Sequence, residues 1–453
     1  MTISKSIART LALLVLSIVV GCSKQPKPLA IFVSGDTQGW ITPCGCAANQ
    51  SGGLARRETL LLASLQSSEV LYLDAGGSAI GANEYQTTRL NYLLNGLKQC
   101  GLGAHNIGGP ETTFTPDQLR EIAKQTSVTW LSSNLSDRDG KTVGTNCAEF
   151  ARGGLKIAVA GVVDPELIQN DAWQANQPTQ AVLSVFKNRK ADVRIVLAYL
   201  DEAKLQQLAQ SLPEVDYVIG GPTSHAINPR KVGSVTVASA TNKGKFLAKF
   251  ELKKLSKGYE QTSASVVEVK SSLGESREQL KNLSNYYQQL KGKDYLSIEA
   301  GYVDLSVVAP HEQKIAGSAL CAKCHGEDDT VWVHSKHSHA WEPLVTRGAN
   351  FDPYCQQCHT TGYGQSQGFE NVKRSMTLVG VGCENCHGPS QAHVDNPKKK
   401  TPYLAKQQCV RCHDHENSPT FELSGYWAKV VHAGKTTTTP SKSSEPSSEG
   451  KPQ

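Results

Sequence analysis

Methionine is almost missing from this chain of 453 residues: beyond the initiator there is only Met376. Methionine sulfur can therefore serve at most one metal centre in the mature protein. Long apolar runs are scarce as well. Leu11 to Val20, broken by Ser17, falls short of the roughly 20 residues a membrane span needs. A strong charge imbalance is also lacking, since 47 Lys and Arg face 41 Asp and Glu for a net charge of +6. No basic stripe interleaved with aromatics is present, which argues against nucleic acid as a partner.

Cysteine, by contrast, is plentiful, at 13 residues. Eight of these sit in four copies of one pattern, C-x-x-C-H: Cys321 to His325, Cys355 to His359, Cys383 to His387 and Cys409 to His413. Such a pattern attaches a c-type haem. Its two thiols add across the haem vinyl groups, and the adjacent histidine becomes the proximal iron ligand. A zinc knuckle or a disulfide framework needs no histidine directly after the second cysteine. Four haems c are thus expected, held by Cys321, Cys324, Cys355, Cys358, Cys383, Cys386, Cys409 and Cys412. The proximal ligands would be His325, His359, His387 and His413.

Lys5 and Arg9 precede the apolar run, which ends in Val19-Val20-Gly21-Cys22. This resembles a bacterial lipoprotein signal. The resemblance implies a signal peptide over residues 1–21, lipid on Cys22 and a tether over 22–28. It implies anchoring in the cell envelope, facing the periplasm. Ser23 in place of aspartate implies the outer membrane. Outside the haem motifs and Cys22 remain Cys44, Cys46, Cys100 and Cys147. In an oxidising compartment they could form two disulfides in any of three pairings.

Continuous apolar strands follow at Leu29–Val33, Val70–Asp74, Leu155–Gly161, Val193–Leu197 and Val215–Gly221. Helical patterns such as Gln118–Lys124 and Ala203–Leu212 alternate with them, which predicts a layered α/β domain with buried strands. Its loops read Gly35-Asp36-Thr37-Gln38-Gly39, Leu73-Asp74-Ala75-Gly76-Gly77, Gly103-Ala104-His105-Asn106, Leu131-Ser132-Ser133-Asn134 and Gly220-Gly221-Pro222-Thr223-Ser224-His225. This order resembles the 5′-nucleotidase family of metallophosphoesterases over residues 29–255. That family holds two metal ions with carboxylates, imidazoles and an asparagine. Here Gln38, Gly77, Ala104, Tyr199 and Pro222 stand at ligand positions, while Asp36 and His105 persist. The resemblance therefore implies a retained fold with its phosphoesterase chemistry lost.

Pro43-Cys44-Gly45-Cys46 lies in the loop after the first strand, with Arg56 and Arg57 following. It resembles the C-G-C motif of a branch of 5′-nucleotidase-like proteins. A ring closed within C-x-C is strained, hence labile, and nearby arginines lower a thiol pKa. Cys44 and Cys46 are accordingly redox-loop candidates. The alternatives are disulfides to Cys100 and Cys147, or one additional metal ion held with Asp36 and His105.

Residues 256–312 read as a helical connector, with Leu280, Leu283, Tyr287 and Leu290 at helical spacing. Residues 313–432 then resemble the tetrahaem cytochrome c-554/c-552 family. The matching pieces are Gly317-Ser318, Trp332 with Ser335 and His337, Cys383 to Pro389 with His393, and Tyr426-Trp427 with His432. The resemblance implies a mostly helical, loop-rich multihaem domain that carries electrons. For distal ligands the candidates are His311, His334, His337, His339, His393, His415 and His432. The family positions favour His337, His393 and His432, with His339 or His334 as a fourth. One haem could be five-coordinate, as the family allows. Residues 433–453 are rich in Thr, Ser, Pro and Lys and are expected to be disordered. The leading expectation is an electron carrier serving redox protein partners. A haem-linked redox enzyme and a phosphoester hydrolase with a haem module are the alternatives.

Overall fold

The computed structural model describes residues 27–43, 50–302 and 314–432. Cys22, Cys44, Cys46, His311, the signal segment and the tail lie outside the described residues.

The N-terminal part is built on two six-stranded sheets. The first runs β14-β13-β1-β2-β3-β4, from β1 (Leu29–Ser34), β2 (Glu69–Asp74), β3 (Leu102–Asn106), β4 (Trp130–Leu131), β13 (Phe246–Lys254) and β14 (Tyr259–Glu268). The second runs β11-β12-β10-β9-β7-β6, from β6 (Ala148–Arg152), β7 (Leu155–Val163), β9 (Val193–Tyr199), β10 (Tyr217–Gly221), β11 (Ile227–Val232) and β12 (Val235–Ser239). A small pair, β5 (Leu135–Asp137) with β8 (Trp173–Ala175), stands apart. Strands β1 to β4 are parallel, as are β7, β9, β10 and β12, while antiparallel strands close the sheets at β13, β14, β11 and β6.

Side chains two apart on a strand share a face, and that period sets the layers. Leu29, Ile31 and Val33 of β1 meet Ile157, Val159, Ile195 and Leu197 between the sheets. Ala30 and Phe32 face the helices α1 (Leu54–Leu65), α2 (Glu84–Gln99) and α3 (Pro116–Thr126). Helices α4 (Pro178–Phe186) and α5 (Glu202–Ser211) cover the outer face of the second sheet through Val182, Val185, Leu205 and Leu208. The order is helix, sheet, sheet, helix. Burial on both faces explains why these strands read as continuous apolar runs. Helix starts are equally local in origin. Asn83 with Gln86 and Thr115 with Gln118 form capping boxes at α2 and α3, and proline follows Thr115.

Two expectations need correction. The α/β unit does not stop at residue 255, because β14 extends its first sheet to Glu268. The connector helix α6 (Arg277–Lys293) also belongs to its core, packing on α1 and α2. Its buried face is Gln279, Asn282, Tyr286 and Leu290, whereas Leu280 is 42% exposed. Polar side chains won this face because they find partners: Gln279 Nε2 donates to Gly96 O at 3.0 Å and Asn282 Nδ2 to Tyr92 O at 3.0 Å.

The C-terminal part consists of short helices and loops. Its own apolar cluster is small, formed by Trp341, Leu344, Ala349 and Phe369. Val331, Val333, Leu404, Val410, Leu423 and Val431 remain exposed. This domain docks on loops that follow β1 and β12. Trp40 meets Tyr354 edge to face at 5.1 Å, Lys243 pairs with Glu416, and Gln50 Nε2 donates to Glu416 O at 3.0 Å. These loops lie at the carboxyl ends of parallel strands, where open α/β sheets place their ligand sites.

Candidate haem centres and a remnant metal site

Each C-x-x-C-H motif sits on a short helix or turn that presents its two cysteines and its histidine together: Ser318–Cys321 with the turn after it, Pro353–His359, Cys383–His387 and Cys409–Arg411. Three of the four motif histidines face a second imidazole. His325 and His393 have ring centroids 6.2 Å apart, His387 and His432 5.9 Å, and His413 and His337 6.1 Å. Two imidazoles on opposite sides of one metal, each bonded at about 2 Å, place their centroids about 6 Å apart.

The nitrogens are arranged for the same purpose. Nδ1 of His393 donates to Lys399 O at 2.5 Å, and Nδ1 of His432 to Val430 O at 3.1 Å. His413 Nδ1 pairs with Ser418 Oγ at 2.8 Å, and His359 Nδ1 donates to Ala340 O. Nδ1 so occupied leaves Nε2 available to a metal, the arrangement by which outer partners orient ligating imidazoles. Burial lowers the pKa of His337, His359, His387 and His413, which keeps them in the neutral, ligating form. The residues present therefore fit haem. The thin apolar core and the exposed valines and leucines agree, since a haem face would cover them.

His359 is the exception. Among the described residues no imidazole ring is paired with it as the other three are. His339, a candidate for that place, uses both nitrogens elsewhere: Nδ1 lies 2.8 Å from Glu342 Oε1, and Nε2 lies 3.0 Å from Val333 O. His334 Nδ1 donates to Thr330 O at 2.7 Å, and His415 is exposed. The structure does not bring these three to a motif histidine.

The motifs also touch one another. The thiol of Cys321 lies beside that of Cys383, and that of Cys412 beside that of Cys358. Cys386 neighbours Cys409 and Cys412. Motif one thus abuts motif three, motif three abuts motif four, and motif two meets both motif four, through Cys412, and motif three, where Asn385 Nδ2 donates to Thr360 O at 3.0 Å.

The remnant phosphoesterase site is filled rather than open. Asp36 Oδ1 accepts from Gln38 Nε2 at 3.0 Å and from the Tyr199 hydroxyl at 3.3 Å, and its Oδ2 accepts from Thr241 Oγ1 at 2.7 Å. Gly77 has φ +82°, and a Cβ there would lie 2.6 Å from Tyr199 Cε2. The tyrosine ring thus takes the space that a bridging carboxylate at position 77 would need. His105 is fully buried between two carboxylates, with Nδ1 3.0 Å from Asp74 Oδ1 and Nε2 3.7 Å from Glu111 Oε1. Burial by itself lowers its pKa, but the charge of Asp74 and ion pairing with both carboxylates outweigh burial and raise it to about 9. Glu111 accepts backbone N–H groups from Gly77 at 3.0 Å, Ala79 at 3.0 Å and Gly108 at 2.9 Å.

An imidazolium has therefore taken the place of metal charge among buried carboxylates. Asp36 and His105 are each committed to other partners and share no ligand point. Among the described residues no group of three or more His, Cys, Asp or Glu is disposed to hold a metal ion. The residues do not fit a dinuclear centre, nor an additional ion on Asp36 and His105. Purified protein should show no nucleotide hydrolysis with added divalent metal; metal-dependent turnover lost in Asp36→Ala would contradict this. Cys100 and Cys147 are buried free thiols in separate clusters, so they are not bridged to each other.

Fold and site together define a class: a phosphoesterase-type α/β domain joined to a helical domain with c-type haem motifs. Residues 320–388 match the family described as Cytochrome c554 and c-prime. The chain is 31% identical over 151 residues to cytochrome c-554 of Nitrosomonas europaea, a match covering 25% of this chain and 63% of that protein. The chain thus spans less than two thirds of this relative. A cytochrome c match implies covalently bound haem c with iron. Among solved structures, the 5′-nucleotidase precursor of Thermus thermophilus is similar with TM-score 0.51 at 18% identity, covering 58% of this chain and 59% of that one. NAD nucleotidase of Haemophilus influenzae is similar with TM-score 0.51 at 13% identity, covering 70% of this chain and 68% of that one. The N-terminal domain has the 5′-nucleotidase-type metallophosphoesterase fold, and at these identities the likeness concerns fold alone.

Arg89, Asp352, Glu111 and Tyr199 escaped the sequence reading as functional residues. Asp352 had a signal, an N-cap aspartate followed by Pro353 just before a motif. Arg89 had none, because Gly39, Trp40 and Tyr354 are brought to it only by the fold.

Proposed function

We propose that this protein is a lipid-anchored, periplasm-facing electron carrier with four covalently bound haems c. The three imidazole pairs about 6 Å apart carry this reading. The haem of motif one takes His325 and His393, that of motif three His387 and His432, and that of motif four His413 and His337. Paired histidines give lower potentials than a Met/His set. Haems held on these abutting motifs would exchange electrons with their neighbours, and redox proteins would supply and remove them. His359 would hold the haem of motif two, and with no described imidazole facing it that haem would have room for a small ligand. Cys22 carries the lipid. The α/β domain keeps a phosphoesterase scaffold without its reaction.

One preparation tests the whole reading. Detergent-extracted native protein should give about four haems c per chain by pyridine haemochrome, and its ferrous form should bind about one CO. Cys22→Ser should release it from the membrane fraction. Two haems or fewer would sink the reading. Absence of any CO-binding haem would remove the open position.

A further inference from the structure

The α/β domain places a buried cation against the attachment helix of the second haem motif. Arg89 is carried on α2 and is 5% exposed. Its guanidinium carbon lies 5.1 Å from the ring centroid of Tyr354 and 5.8 Å from that of Trp40. Nε donates to Gly39 O at 2.7 Å and one terminal nitrogen donates to the Tyr85 hydroxyl at 2.8 Å. Tyr354 immediately precedes Cys355, the first attachment cysteine of that motif.

A buried anion answers it from the other side of the interface. Asp352 caps the helix Pro353–His359, accepting from Tyr354 N at 3.0 Å. It also accepts from the Tyr85 hydroxyl at 2.8 Å and from the Tyr286 hydroxyl at 3.2 Å. Tyr85 belongs to the α/β domain and Tyr286 to α6. Both charges are therefore held in place by parts of the chain outside the haem domain. Arginine stays charged in any protein environment, so the field persists across pH. Other charges near this motif count for less. Arg347 faces His359 but is exposed and screened by water and salt, and Lys243 is neutralised by its pair with Glu416.

We propose that Arg89 and Asp352 set the reduction potential of the second haem with opposite signs, Arg89 raising it and Asp352 lowering it. Reduction adds one electron to the haem. A buried cation nearby favours the added electron and a buried anion disfavours it, and low dielectric makes both effects large. The α/β domain then acts as a tuning module for the second haem, in place of the hydrolysis its scaffold has lost. The inference rests on the assignment of Cys355, Cys358 and His359 as a haem site.

The test is a potentiometric titration of the full-length holoprotein, following the CO-binding haem spectroscopically. Haem content is measured first, so a missing second haem is recognised as failure of the assignment and not of the tuning. Arg89→Gln should make this haem harder to reduce by about tenfold, about 59 mV for one electron. Asp352→Asn should shift it by a similar amount in the opposite direction. Arg89→Lys should recover most of the wild-type value. A merely structural role would move both variants in the same direction or shift all haems together, and either result overturns the proposal. If Arg89→Gln does not accumulate as holoprotein, Asp352→Asn carries the same test, and an unchanged or lowered potential there is equally fatal.

Discussion

Alanine at His337, His393 or His432 should convert one six-coordinate haem into a CO-binding one. Bound CO should rise from about one to about two per chain, with a matching gain of high-spin absorption. The reason is geometric. Each of these imidazoles faces one motif histidine across about 6 Å, as two axial ligands of one iron must, and three of the four motifs have such a partner. Loss of one distal ligand should also raise that haem's potential, because two imidazoles favour the ferric form more than one does. His339→Ala and His334→Ala should leave CO binding unchanged, since His339 spends both nitrogens on nearby groups and the three imidazole pairs include neither residue. A CO stoichiometry that rises for His339→Ala but not for His337→Ala would reverse the ligand assignment.

His105→Ala should be among the most damaging changes in the α/β domain, costing about 3–5 kcal/mol near pH 6. It would leave Asp74 and Glu111 buried with no countercharge. The pH dependence identifies the cause. His105 titrates at about 9 in the folded protein, above the usual 6.5. Its contribution is fully present below about pH 6.5 and is lost as pH rises through about 9, an effect of about 3 kcal/mol. The Asp74 and Glu111 carboxylates are held below their usual range, although burial pushes the other way, because His105 and hydrogen bonds outweigh it. Their contribution is present above about pH 4 and is lost as pH falls below that. Urea unfolding followed by far-UV circular dichroism should therefore show a large gap between wild type and variant at pH 6, narrowing by pH 10. An equal gap at both values would mean that His105 is neutral when folded.

The two domains differ in how much of them could be read from the chain. Haem attachment needs two thiols and an imidazole at fixed local spacing, so the sequence itself displays Cys321 to His325 and its three counterparts as candidate sites. Distal ligands come from elsewhere in the chain. Position singled out His337, His393 and His432 through family likeness, but their pairing with His413, His325 and His387 emerges only when the helices are folded. His339 illustrates the limit, since nothing in its local pattern says that Glu342 and Val333 already occupy its nitrogens.

The same division holds in the α/β domain. Apolar strands, capping boxes and turn glycines are local signals, and β1, β7 and β9 lie where their composition placed them. Missing metal ligands were also visible one by one, at Gln38, Gly77 and Tyr199. What replaced them was not. Tyr199 enters the space beside Gly77 from a strand of the other sheet, and Glu111 reaches four backbone N–H groups across a turn. The chain by itself determined the haem motifs and the layered scaffold, because covalent attachment and the strand period act over a few residues. Tertiary structure alone decided which imidazoles face one another, what fills the old metal site, and that Arg89 and Asp352 flank the second haem motif. Those outcomes depend on charges and rings brought within a few ångströms from distant segments, where burial strengthens every contact.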